Sequence, residues 1–132
     1  MDREVNYMNY EDVLREGNKI RIVQEIVPGK QITIAHIIAN PDKALYQKLG
    51  LNIESDCQKS AIGIITLTPY ETAIIASDIA LKTSGIELGF VDRFNGTLII
   101  TGSISEVETA LSAIVSYAKE KLQFTICNIT KT

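Results

Sequence analysis

The chain has 132 residues, 45% hydrophobic and 22% charged, with a formal net charge of −3: enough for one domain with its own core, and too acidic for a nucleic-acid footprint. No apolar run reaches the roughly 18 residues of a membrane helix, and the opening "MDREVNYMNYEDVLREG" lacks the apolar stretch of a signal peptide. Cys57 and Cys127 stand far apart with His36 the only histidine, too sparse a set for a zinc site, so both cysteines read as reduced thiols in a cytosolic protein.

In chain order, residues 1–19 are polar and charged and read as a flexible extension, leaving 20–132 as a single domain. "IRIVQEIV" (20–27) reads as a strand, with Ile20, Ile22, Gln24 and Ile26 on one face and Arg21, Val23, Glu25 and Val27 on the other. Pro28-Gly29 suits the centre of a type II turn, and "KQITIAHIIA" (30–39) reads as a second strand. "PDKALYQKLG" (41–50) reads as a short helix, with Pro41 at its first position and Gly50 as its C-cap. A polar loop follows over 51–60, then a strand in "SAIGIITLT" (60–68).

Thr68-Pro69-Tyr70-Glu71 has the form of a capping box, which predicts a helix to about Ser84, stopped at Gly85. "IELGFVD" (86–92) and "TLIITGSI" (97–104) read as hairpin strands around Asn95-Gly96, a pair that tolerates positive φ. Ser105-Glu106-Val107-Glu108 has the form of a second capping box, with a helix to about Lys121 and a closing strand in "FTICNITKT" (124–132). The order is βαββαβ, an α+β ferredoxin-like unit with an extra strand and helix before it.

The two long helices differ. Val107, Ala110, Leu111, Ile114 and Ala118 make one stripe at helical spacing, as in an ordinary surface helix. Over 69–84 the apolar residues cover most of the circumference, so that helix needs cover on more than one side. A neighbouring subunit is the expected cover, with Ala73, Ala76 and Ala80 permitting close approach; the alternative is a helix central to its own domain. Nucleotide-binding glycine loops, nucleophile elbows and metalloprotease motifs are absent from the sequence. Asp92 beside Arg93 suits a solvated turn or a subunit contact better than acid–base catalysis, and His36, in an apolar strand, suits a hydrogen-bonded structural role.

The run "SAIGIITLTPYETAIIASDIALKTSGIELGFVDRFNGTLIITGSISEVETALSAI" resembles the shell proteins of bacterial microcompartments. "VPGKQITIAHIIANP" and "FTICNITKT" resemble its circularly permuted branch, found in ethanolamine-, propanediol- and choline-utilisation shells. The resemblance spans roughly residues 20–132. It implies a non-enzymatic structural subunit, without cofactor, membrane or nucleic-acid partner. Such subunits form cyclic homohexamers that join other shell proteins in the bacterial cytoplasm, around encapsulated enzymes, and limit diffusion of small molecules.

The resemblance also implies roles for particular residues. Asp92, Arg93, Phe94, Asn95 and Gly96 would ring a pore on the sixfold axis, where charge selects solutes and Asp92 and Arg93 of neighbours can cross-pair. Lys82 would lie at the hexamer edge. The arginine that often accompanies it is replaced here by Asn40, which implies weaker or differently bent tiling, and Ser60 stands where some permuted relatives carry glycine. Strands 20–27, one per subunit, would form a small axial barrel filled by its own side chains, and so a plug. A small-ligand-binding regulatory oligomer of ferredoxin-like units is the alternative function.

Overall fold

The pattern of "AIGIITLT" sets the architecture. In β2 (Ala61–Thr68) one alternate set is apolar throughout and the other begins with Ile62 and Ile64, so the strand must be covered on both faces over its first half. A computed structural model, which describes residues 29–51 and 61–132, puts β2 at the centre of a five-stranded sheet. Its neighbours are β1 (Gln31–Ile38) and β4 (Thr97–Gly102), both antiparallel to it. β3 (Glu87–Asp92) forms one edge beside β4, and β5 (Thr130–Lys131) forms the other, parallel to β1. The sheet order is β3-β4-β2-β1-β5. The extra strand β1 is thus inserted between the first and last strands of the βαββαβ unit.

Helices α2 (Thr72–Thr83) and α3 (Ile104–Glu120) cover one face. Ile65, Leu67, Leu98, Ile100, Val107, Leu111 and Ile114 form the main core there. On the other face the short α1 (Lys43–Leu49) sets Tyr46 against Ile62, with Leu51, in a second cluster. Ile62 and Ile65 are both fully buried although they face opposite ways. The stripe expected on α3 is buried as its spacing requires.

Element boundaries differ from the sequence reading in four places. Asp42, not Pro41, starts α1: its carboxylate accepts from the Ala44 N–H at 2.9 Å, while Gly50 caps the other end at φ 71° as expected. The capping box at Thr68–Glu71 does not form, because Thr68 is still held in the ladder opposite Gln31. The chain instead enters α2 through backbone bonds from Thr72 N–H to Pro69 and from Ala73 N–H to Tyr70, after a cis Thr68–Pro69 peptide. The box of α3 is real but starts at Ser103 instead of Ser105: Ser103 Oγ accepts from Glu106 N–H at 3.1 Å, and Glu106 Oε1 accepts from Ser103 N–H at 3.0 Å.

The fourth difference is the closing strand, which contracts to Thr130–Lys131 after an isolated bridge between Gln31 and Thr125. Phe124, Ile126, Cys127 and Ile129 pack against the main core, and burial displaces ladder pairing over this stretch. His36 has the structural role its setting suggests. Its Nδ1 lies 2.6 Å from Thr130 Oγ1 and its Nε2 lies 2.9 Å from Thr132 Oγ1, which pins the C-terminal segment to β1. The strand expected at 20–27, the turn at Pro28, Cys57 and Ser60 lie outside the described residues.

Gly63 lets α3 approach the sheet closely. A Cβ there would sit 2.7 Å from Val107 Cγ1 and 2.9 Å from Ile100 Cγ1. Gly63→Ala should therefore destabilise the fold by about 1–3 kcal/mol, as overpacking does. A lowered urea midpoint at unchanged m-value is the expected result; an unchanged midpoint would mean that α3 can move away freely.

Candidate assembly surfaces and pore loop

The hairpin tip is built around Asp92. Its Oδ1 accepts from the N–H groups of Phe94 at 2.9 Å and Asn95 at 3.1 Å, and its Oδ2 accepts from Asn95 Nδ2 at 2.9 Å. These bonds, first the Asn95 amide and then the Phe94 N–H, hold the Asp92 carboxyl below the usual carboxylate range. The Gly96 N–H closes the loop onto the Asp92 carbonyl at 2.8 Å. Of the expected Asn95-Gly96 pair, only Gly96 takes positive φ, at 76°. It has to be glycine: a Cβ there would collide with the Leu67 carbonyl and approach the Tyr70 ring.

Arg93 and Phe94 project from this framework. The guanidinium lies 4.7 Å from the Phe94 ring centroid, and Phe94 is 70% exposed. Asp92 and Arg93 are therefore not paired with each other inside one chain: one holds the turn and the other stacks on the aromatic. The structure brings Asp92, Arg93, Phe94, Asn95 and Gly96 together as one hydrogen-bonded tip.

On α2 the structure corrects the sequence reading. Ala73, Ala76 and Ala80, expected at a subunit contact, are 0%, 1% and 0% exposed within the single chain. Small residues face inward because the helix lies close to the sheet and α3. The large aliphatics face outward instead, with Ile74 and Leu81 each 51% exposed and Ile75 beside them. Lys82 lies on this outer face, bound to Asp78 one turn earlier at 2.9 Å. Asn40 is exposed just beyond β1, and within the chain Lys82 pairs with Asp78. Ile20, Ile22, Gln24 and Ile26 lie outside the described residues.

Sequence reasoning missed the exposure of β3 on both of its faces. Leu88, Phe90 and Val91 are all exposed, and Phe90 is half so at 50%. Gly89 forms a bulge between Leu88 and Phe90 in the pairing with β4. "IELGFVD" gives no sign of exposure on its own. Its position does: in this sheet order the second strand of the unit is an edge.

The lowered pKa of Asp92 has a definite sign. Stabilisation of the tip is present above the ordinary carboxylate value near 3.8 and is lost as pH falls through the lowered folded value. Amide NMR shifts of Phe94 and Asn95 should stay flat from about pH 7 to 5 and move only below about pH 4, and Asp92→Ala should abolish that transition. A midpoint above the ordinary value would contradict the observed hydrogen bonding.

Comparison with known proteins fits this geometry. Residues 61–130 match the BMC domain. The bacterial microcompartment shell protein PduU of Salmonella typhimurium (strain LT2) is 51% identical over 118 residues, covering 89% of this chain and 98% of PduU. The shell protein EutS of Escherichia coli (strain K12) is 50% identical over 115 residues, covering 87% of this chain and 99% of EutS. Among solved structures, a CutR flat hexamer overlays with a TM-score of 0.75 at 50% identity, covering 85% of this chain and 99% of CutR. A CutR screw form of 41.9 Å pitch gives 0.71 at 48% identity, covering 80% and 100%. The strand and helix ahead of the βαββαβ unit keep their place along these alignments, as the permuted branch requires. Half of the aligned residues are shared over nearly the full length of these shell proteins, and the chain belongs to their family, the bacterial microcompartment shell proteins with a BMC domain.

Proposed function

We propose that this shell protein works as a homohexamer whose rings tile the wall of a metabolic microcompartment in the bacterial cytoplasm. The wall acts passively: with other shell proteins it encloses a set of enzymes and slows the escape of small intermediates. The observation that carries this reading is the overlay with the CutR flat hexamer at half identity. The exposed surface agrees with it. β3 is an open edge that runs directly into the tip at Asp92. In a ring with the tip on the axis, β3 becomes the flank of a wedge-shaped subunit. Leu88, Phe90 and Val91 would then be covered by the next copy, together with Ile74 and Leu81 of α2. Head-to-tail contacts of this kind close into a ring without leaving an edge.

In this arrangement Arg93 and Phe94 repeat around the axis. Asp92 is held by its own turn, so the guanidinium and ring are the groups presented to a passing solute. Strands 20–27 would pair around the same axis as a plug, which a hexamer structure tests directly: pairing only within each chain removes the plug. Native mass measurement with electron microscopy tests the function. Rings that extend into sheets or tubes are expected; a dimer or trimer that tightens with a metabolite overturns the reading in favour of a ligand-binding regulator.

Two sets of variants separate the surfaces. Phe90→Asp combined with Ile74→Asp should give folded monomers, because burying unpaired charges at the contact costs several kcal/mol. Ala76→Glu should instead unfold the chain, since that side chain has no room inside the core; native mass and circular dichroism distinguish the two outcomes. Lys82→Ala should leave hexamers intact and reduce sheets in micrographs, and undiminished sheets would remove Lys82 from the edge contact.

A further inference from the structure

We propose that Asn95-Gly96 is a latent deamidation site and that Asp92 is the residue that keeps it closed. Of the asparagines in the chain, only Asn95 is followed by glycine. With no side chain to shield it, the Gly96 backbone nitrogen can reach the side-chain carbonyl carbon of Asn95. In that step the Gly96 nitrogen bonds to this carbon and forms a cyclic succinimide. The Asn95 Nδ2 group leaves, and with the proton of the Gly96 N–H it departs as ammonia. Water then opens the ring at either carbonyl, which gives aspartate or isoaspartate. The balance is amide plus water to acid plus ammonia, with no oxidant or reductant. Asn95 is exposed at the hairpin tip, so the water is at hand.

The hydrogen bonds of the tip oppose each part of this reaction. The attacking nitrogen is engaged: the Gly96 N–H donates to the Asp92 carbonyl at 2.8 Å, and a succinimide has no hydrogen there to keep that bond. The leaving group is engaged as well, since Asn95 Nδ2 donates to Asp92 Oδ2 at 2.9 Å. Asp92 Oδ1 accepts from the Asn95 N–H at 3.1 Å, so backbone and side chain of Asn95 are tied to one carboxylate. Gly96 is buried, and its carbonyl accepts from the Leu67 N–H at 2.8 Å, which holds it to β2. Nor is the carboxylate placed as a base for the attack. Its oxygens serve the Phe94 and Asn95 donors, while the Gly96 N–H points at a backbone carbonyl, which cannot take the proton. The same contacts make conversion disruptive. Either product places an acceptor-only carboxylate where Nδ2 donated to Asp92. A hydrogen bond becomes a repulsion between like charges, and isoaspartate also lengthens the backbone of the tip. Conversion at Asn95 therefore undoes the clamp that prevented it.

The test incubates the full chain at neutral pH and follows Asn95 by peptide mapping, with isoaspartate detected by enzymatic methylation. The folded parent should convert slowly and the same chain in urea rapidly. Asp92→Ala, shown to be folded by circular dichroism, should convert about tenfold faster than the folded parent or more, the scale set by losing hydrogen bonds to a charged group. Should Asp92→Ala not fold, Asp92→Asn takes its place. It keeps one oxygen for the loop N–H groups but offers Asn95 Nδ2 a weaker partner, and it should still convert faster than the parent. In the converted fraction the Phe94 amide should exchange faster with solvent. Equal rates for the folded parent and the chain in urea would show that the fold gives no protection. A folded Asp92 variant as slow as the parent would remove Asp92 from that role, and a slower one would make the carboxylate an accelerator; either overturns the proposal. Absence of conversion even in urea would remove the site, and unchanged Phe94 exchange after conversion would show that the clamp survives it.

Discussion

The fold depends on how closely two helices can lie on one sheet face. Gly63 on β2 leaves room for Val107 of α3, and Ala73, Ala76 and Ala80 bring α2 down beside it. Small side chains inside have a consequence outside. The large apolar residues of α2 cannot fit beneath the helix, so Ile74, Ile75 and Leu81 are turned to the surface. β3 adds Leu88, Phe90 and Val91 on an open edge. Monomeric proteins rarely leave so much apolar surface without a partner. Tight packing within the subunit and the tendency to assemble thus have the same cause.

The hairpin tip shows a second use of close contact. A loop repeated around an axis defines an opening only if every copy holds the same shape. Asp92 secures this by bonding three donors of its own loop, and Gly96 by fitting against the Leu67 carbonyl where no side chain could. The Gly96 carbonyl in turn accepts from the Leu67 N–H at 2.8 Å, which ties the tip to the central strand. Arg93 and Phe94 are then mounted on a fixed support, and on the proposed axial placement the chemistry at the opening could change at those two positions without rebuilding the loop.

What could be read from the sequence follows from which physical signals are local. The βαββαβ order, the buried stripe of α3, the Gly50 cap and the hairpin strands each rest on periodicity or turn chemistry within a few residues. The start of α2 could not be read this way, because Thr68 belongs to a ladder whose partner, Gln31, is far away in sequence. The inward face of α2 was hidden for another reason. Its residues sort by size, with alanines in and isoleucines out, so polarity carries no information about direction. Exposure of β3 follows from sheet order, which is not a local property. The Asn95-Gly96 signal found the hairpin but not its turn, since Asp92 holds Asn95 out of the positive-φ conformation that a two-residue turn requires.

In the relative CutR, flat and screw assemblies are built from one subunit. Flat and screw forms of CutR overlay on this chain almost equally, with TM-scores of 0.75 and 0.71. One subunit shape is therefore compatible with quite different lateral arrangements. At the proposed ring edge this chain would present Lys82 with Asn40, in the place where the family resemblance implies an arginine. Arginine offers a rigid planar fork of donors that fixes the angle between partners. A lysine ammonium bonds from many directions and holds the angle loosely. With Asn40 in that place, the proposed edge contact would lack such a fork. A wall built from this subunit should bend at its joints while each ring stays rigid.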